Sequence, residues 1–202
     1  MADNSLAVRD PYLWHNDDVL KNLLEIHDSA QLRKAELAFS AARLATLELG
    51  NGVIGLPRLC HIHRTLFQDI YSWAGELRTI DIWRDETPYC HCEYIEKEGN
   101  VLMSALEEER GLANLSQEEF VARIAHYYCE IYVLHPFRAG NGRAQRIFFE
   151  QLALHAGYLL NWDVLDREAW HTAIVTGVAG DLAPLTAQFA KVVSPAKLDK
   201  SL

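Results

Sequence analysis

Apolar residues recur at spacings of three and four through most of the chain, and that period predicts helices. Asp28 with Gln31 three residues later looks like a cap opening a helix whose stripe is Leu32, Ala35, Phe39, Ala42 and Leu47, ended by Gly50-Asn51-Gly52. A short helix is expected before it, after Asp17 and Asp18. Pro57 suits the first turn of a second helix carrying Leu59, Ile62, Leu66 and Ile70, which should stop near Trp73-Ala74-Gly75.

From Arg78 the period changes to two. Ile80 and Ile82 alternate with Asp81 and Trp83, Arg84-Asp85-Glu86 reads as a turn, and Thr87 to Cys90 can return, which predicts a β-hairpin. Helices resume with Ile95, Leu102 and Leu106. Ser116 and Glu119 then form a capping box before Phe120, Ile124, Tyr128 and Ile131. Pro136 ends that helix at His135. Another carries Ile147, Phe148 and Leu152 and can close at Gly157; Trp170 and Ile174 mark the next, and Asp181 can cap a last one with Leu182, Leu185, Phe189 and Val192. The fold class expected is mainly α with one small hairpin, a single domain over 1–202 whose core runs from about 9 to 193, with a mobile tail at about 194–202. Residues 1–16, with Tyr12 and Trp14, should pack back on it.

Composition narrows the function. With 202 residues, half of them hydrophobic, the chain is long enough for one sizeable core. A net charge of −9 argues against broad nucleic-acid binding, which needs a basic surface. No apolar run approaches the ~20 residues of a membrane span, and the first residues lack a secretory pattern, so a cytoplasmic protein without membrane association is expected. Four cysteines without framework spacing fit reduced thiols.

One run, HPFRAGNGRAQR from His135 to Arg146, concentrates the chemistry. Gly140 and Gly142 bracket Asn141, and glycines at positive φ turn successive N–H groups toward one point, an anion nest at the start of a helix. Arg143 and Arg146 lie three apart and should share a helix face. A base, His135, beside such a nest suits phosphoryl or nucleotidyl transfer. Phe137 reads as an inward anchor. Cys90, His91 and Cys92 with His61 and His63 form a weaker zinc candidate, since no second pair stands at metal-site spacing. Cys60 and Cys129 read as core residues, His126 and His155 as structural, and Glu107 to Glu109 as a solvated helix end.

The run resembles the signature of the Fic family, HPFx(D/E)GNGRxxR, at every fixed position but one. WAGELR before the hairpin, TPYC after it and LHPF itself also resemble the family's small bacterial toxins. The resemblance implies a Fic fold, a helical bundle with a β-hairpin flap, and transfer of AMP from ATP, with Mg²⁺, to a hydroxyl side chain of a target protein. It makes His135 the base, Gly140, Asn141 and Gly142 the phosphate nest, Arg143 and Arg146 phosphate ligands, and Ile80, Asp81, Ile82 and Trp83 the edge that docks the target by β-pairing. The departure is Ala139, where the family has a Mg²⁺-holding carboxylate; there the metal would keep to phosphate oxygens and water. Weak or absent catalysis, with the domain acting as a binding module, or a different nucleotide donor, is the alternative that Ala139 leaves open.

Many relatives are silenced by a helix bearing (S/T)xxxE(G/N). Ser72 to Glu76 and Ser104 to Glu108 share its first part, but Leu77 and Glu109 follow. The resemblance therefore implies a separate small antitoxin protein supplying that helix, anchored by Arg146, and a target such as the ATPase subunit of a type II topoisomerase.

Overall fold

A computed structural model describes residues 10–48, 54–84 and 87–196. Seven α-helices dominate it: α1 Ser29–Leu44, α2 Leu56–Phe67, α3 Ile95–Glu108, α4 Gln117–Leu134, α5 Asn141–Ala156, α6 Arg167–Val178 and α7 Ala183–Val192. A hairpin of β1 (Trp83–Arg84) and β2 (Thr87–Pro88) separates α2 from α3, and β3 (Tyr158–Leu160) pairs antiparallel with β4 (Val193–Pro195). The mainly helical expectation is met. No described helix is long and apolar enough to cross a membrane.

α4 is the central rod, packed against α3, α5, α6 and α7, while α5 also lies on α2 and α1 covers α2. Its start is the expected capping box, with the Ser116 hydroxyl accepting from the Glu119 N–H and the Glu119 carboxylate from the Ser116 N–H. Its inward residues Phe120, Ile124 and Tyr128 meet Phe149, Tyr158 and Phe189 in the core. Asp28 caps α1 by accepting from the Gln31 N–H at 2.8 Å. Asp166 caps α6 and Gly157, at φ 88°, closes α5. Asp181 accepts from the Ala183 N–H at the start of α7.

Several expectations need correction. No helix follows Asp17 and Asp18: Leu13 bridges to Leu20, and the buried Asn22 amide bonds the Leu20 and Ile26 carbonyls and the Ile26 N–H, so a side chain takes the groups a helix would use. The stripe expected of α1 is its inner face only in part, with Ala35 and Leu47 half-buried. Leu32 is buried, but Phe39 and Ala42 are exposed and Ser40 is buried, because this helix turns polar groups toward α5. Gly50-Asn51-Gly52 lies outside the described residues. α2 ends at Phe67; turns run on to Gly75, and Ile70 stays buried within them. Ser194 and Pro195, expected in a mobile tail, belong to β4. Glu109 is no solvated end, since its carboxylate accepts from Arg123 and from the Tyr127 hydroxyl at 2.7 Å. Of the segment 1–16, residues 1–9 lie outside the described residues; Tyr12 packs back as expected, meeting Trp73 edge-on while its hydroxyl accepts from the Thr79 N–H.

The Ser116 cap gives a simple test of the central rod. Ser116→Ala should lower stability by about 1 kcal/mol, read by urea unfolding.

Candidate active site

The run from His135 to Arg146 is the corner between α4 and α5, and the neighbouring elements fix it from beneath. Pro136 disfavours right-handed helical geometry at His135, which turns left-handed (φ 42°, ψ 62°) and ends α4. Phe137 is fully buried, as expected of an anchor, and stacks on the His63 ring at 3.9 Å. The Asn141 amide clamps the loop, accepting from the Phe137 N–H at 2.9 Å and donating to the Phe137 carbonyl at 2.6 Å. Its side chain is thus turned into the loop, and its backbone N–H heads α5.

His63 supports the same loop. It accepts from the Gly75 N–H through Nδ1 and so donates through Nε2 to the Ala139 carbonyl at 2.9 Å. Burial, with the nearby Arg143 charge, lowers its pKa to about 4. Both ring nitrogens are used, which removes His63 from the zinc candidates.

Gly140 and Gly142 differ. Gly140 has φ 79°, and a Cβ there would meet the Phe67 ring at 2.5 Å. Gly142 lies inside α5, and a Cβ there would meet nothing within 4 Å. The nest thus has one left-handed glycine, not two, and open space above the second. Ala144 is the first residue of α5 whose N–H reaches back to the Gly140 carbonyl, so the N–H groups of Asn141, Gly142 and Arg143 form the positive end of the helix.

The arginines part company. Arg143 donates to the Glu36 carbonyl and the Ser40 hydroxyl, both at 3.0 Å, pairs with the Glu36 carboxylate and lies over Phe67. Arg146 is exposed and lies over Trp162 at 5.3 Å. Arg138, in the loop itself, pairs with Asp10 at 2.6 Å.

His135 faces a cleft of about 780 Å³ lined also by Ile80, Asp81, Ile82, Trp83, Tyr89 and Arg138. Its Nδ1 lies 3.3 Å from the Tyr132 carbonyl, which can only accept, so the proton sits on Nδ1 and Nε2 keeps its lone pair. Tyr89 stacks on the ring at 3.8 Å. Burial, together with the charges of Arg78, Arg84 and Arg138, lowers the His135 pKa to about 4. The imidazole is neutral at neutral pH and available as a base.

The residue that joins this loop to the hairpin was not legible beforehand. Arg78, 2% exposed, donates through Nε to the His135 carbonyl at 2.8 Å, through Nη1 to the Ile80 carbonyl at 2.6 Å and through Nη2 to the Cys90 carbonyl. Its own N–H reaches the Pro136 carbonyl, and the Cys90 N–H reaches the Val133 carbonyl. Both legs of the hairpin are thereby tied to the end of α4.

The hairpin is shorter than expected: regular pairing starts only at Trp83, with one further bond from the Tyr89 N–H to the Ile82 carbonyl. Ile80 and Ile82 are half-buried, at the cleft and not in the core. On its other side, Tyr89 and Arg84 join Pro88, Tyr132, Val175, Val178 and Ala179 around a largely apolar pocket of about 310 Å³.

Two outcomes test this geometry. Gly140→Ala should lose ~2 kcal/mol or more in urea unfolding, from the positive φ and the contact with Phe67. His63 and His135 stay neutral in the fold to about pH 4 but take a proton near 6.5 when unfolded. Below 6.5 the unfolded chain thus binds more protons, and stability should fall from pH 6.5 toward 4 and stay level above; at pH 5 each histidine costs about 2 kcal/mol. His63→Asn should flatten that slope.

The comparisons with known proteins agree with the geometry. The sequence pattern of the Fic/DOC family matches residues 53–153. The chain is 55% identical to the probable protein adenylyltransferase Fic of Escherichia coli K12 over 97% of its own length and 98% of that protein. It is 38% identical to the protein adenylyltransferase VbhT of Bartonella schoenbuchensis over 85% of this chain but only 36% of that longer protein. Its fold superposes on the BepC protein of Bartonella tribocorum, solved with bound AMPPNP, at a TM-score of 0.87 and 26% identity, covering 92% of this chain and 97% of that one. The chain belongs to the Fic/DOC family.

Proposed function

We propose that this protein is a protein adenylyltransferase that moves AMP from ATP to a hydroxyl side chain of a target protein. The observation that carries the reading is a neutral His135 with a free Nε2 lone pair, facing a cleft beside an uncovered helix N-terminus. The 55% identical E. coli relative bears the same activity in its name, and BepC holds an ATP analogue.

In this reading the nucleotide phosphates lie over the N–H groups of Asn141, Gly142 and Arg143, in the space that Gly142 leaves open. Gly140 sets the turn that aims them. Arg146 reaches the phosphates from the exposed side; Arg143 adds its charge from below while Glu36 keeps it in place. The base fits the apolar pocket of Val175, Val178, Ala179 and Tyr89, whose size suits a small-molecule site. The target hydroxyl attacks the α-phosphorus, His135 Nε2 takes its proton, the bond to the β-phosphate oxygen breaks and pyrophosphate leaves.

The flap presents the target. Pro88 has no N–H and stands opposite Trp83 at a non-hydrogen-bonded pair, between the bonded Ile82–Tyr89 and Arg84–Thr87 positions. By alternation the backbone N–H and C=O of Trp83 and Asp81 point away from β2, where an extended target segment can pair with them. Ile80 and Ile82, at the cleft wall, then border that segment.

Magnesium has no protein carboxylate in the loop: Ala139 offers a methyl group, and its carbonyl is taken by His63. A magnesium ion would have to take its ligands from the nucleotide's phosphate oxygens and water, supplying charge neutralisation there. A small antitoxin helix bearing (S/T)xxxE(G/N) and reaching Arg146, a type II topoisomerase ATPase subunit as target, and a cytoplasmic setting complete the proposal as a toxin of an antitoxin pair.

Two variants test it with α-labelled ATP. His135→Ala should lose labelling of target protein by ~10²-fold or more with the fold intact; undiminished labelling would refute the mechanism. Gly142→Ala should be as stable as the parent or more so, by up to ~1 kcal/mol, because the site is helical and uncrowded. Its ATP affinity should nonetheless fall at least tenfold, since the new methyl group occupies the phosphate's place; unchanged affinity would place the phosphates elsewhere.

A further inference from the structure

Beside His135 the cleft wall carries a second cluster, of side chains that the reaction above does not use. Asp81 lies on the leg entering the hairpin, and His91 and Cys92 follow the leg leaving it. One ligand atom from each lies within 4.8 Å of the other two, the sole such cluster of three among the described residues. His91 Nε2 stands 3.0 Å from Asp81 Oδ2. The other carboxylate oxygen is already oriented, accepting from the Cys92 N–H at 2.8 Å.

We infer that Asp81, His91 and Cys92 form a binding site for one zinc-like divalent cation at the base of the flap. The donor set is an oxygen, an imidazole nitrogen and a thiol sulfur, a combination that favours zinc over magnesium or calcium. Tetrahedral zinc, with bonds of about 2.0–2.3 Å, needs ligand atoms some 3.3–3.8 Å apart, so the cluster closes on an ion by small side-chain movements. Carboxylate and thiolate together balance a 2+ charge. Arg78 stands beside the site, its Nη1 3.8 Å from Asp81 on the oxygen turned away from His91, and Asp10, Arg84 and Arg138 line the same cleft.

Access is open, since the His91 side chain is 49% exposed. Binding moves the ring proton to Nδ1: it gives up the long 3.4 Å contact from the Glu93 N–H and replaces the 3.0 Å Nε2–Asp81 contact by bonds from both groups to the ion. The fourth position remains for water or a ligand in the cleft. A bound ion would cross-link the two legs of the flap just where the Asp81–Trp83 edge begins, so cation occupancy would set how rigidly that edge is held. His61 and His63, grouped with these cysteines on sequence alone, take no part, and Asp81, which that grouping left out, does.

The site can be tested on the whole protein without nucleotide, so its failure would leave the proposed activity untouched. Zinc titrated in competition with a chromophoric chelator should bind one ion per chain. Cobalt(II) at the same site should give thiolate-to-metal charge-transfer absorption. Cys92→Ser should abolish that absorption and weaken zinc by ~100-fold or more, beyond the ~10–100-fold expected for an outer partner. His91→Gln should weaken zinc similarly, while Cys90→Ser should keep both signals. Absence of stoichiometric binding to the parent, or equal binding by Cys92→Ser, would overturn the inference.

Discussion

The buried guanidinium of Arg78 is the constraint on which the site depends. An arginine without water is costly unless its donors are satisfied, and here they are spent on the carbonyls of His135, Ile80 and Cys90. Those carbonyls belong to the loop that carries the base and to the two legs of the flap. One side chain therefore sets the distance between a catalytic corner and a docking edge, and the same positive charge discourages protonation of His135. Removing it would uncouple two halves of the site as well as leave carbonyls unpaired.

A second buried group completes the support. His63 cannot protonate without losing the bond that Nδ1 accepts from the Gly75 N–H, and its ring stacks on Phe137. The loop is thus pinned by a histidine from α2, an asparagine from its own helix and an arginine from the flap base, while Arg138 ties it to Asp10. Little of the loop is free to adjust. That rigidity suits an anion site, where N–H groups must already point at the charge they receive.

What the sequence made legible was local. The capping box at Ser116, the helix stop at Pro136 and the buried Phe137 depend on neighbours a few residues away, and stand where expected. What it hid was long-range. Arg78 and His135 are 57 residues apart, His63 and Ala139 76, and Arg143 and Glu36 107. Bonds to backbone carbonyls, moreover, leave no mark in side-chain pattern. The α1 stripe held only in part for the same reason: Ser40 is buried because Arg143 needs an acceptor, a demand from another helix that periodicity cannot register. Gly142 was misjudged differently, since a glycine can serve an open space instead of a positive φ.

The account rests on a base that is neutral, with its proton on Nδ1 and its Nε2 lone pair free toward the cleft. Nitrogen-detected magnetic resonance of the His135 ring, followed through a pH titration, reads this directly. The account predicts a neutral ring, protonated on Nδ1 alone, that stays unchanged from pH 8 through 6.5 and titrates at about 4. A ring that titrates near the ordinary histidine value, or that carries its proton on Nε2, would contradict it.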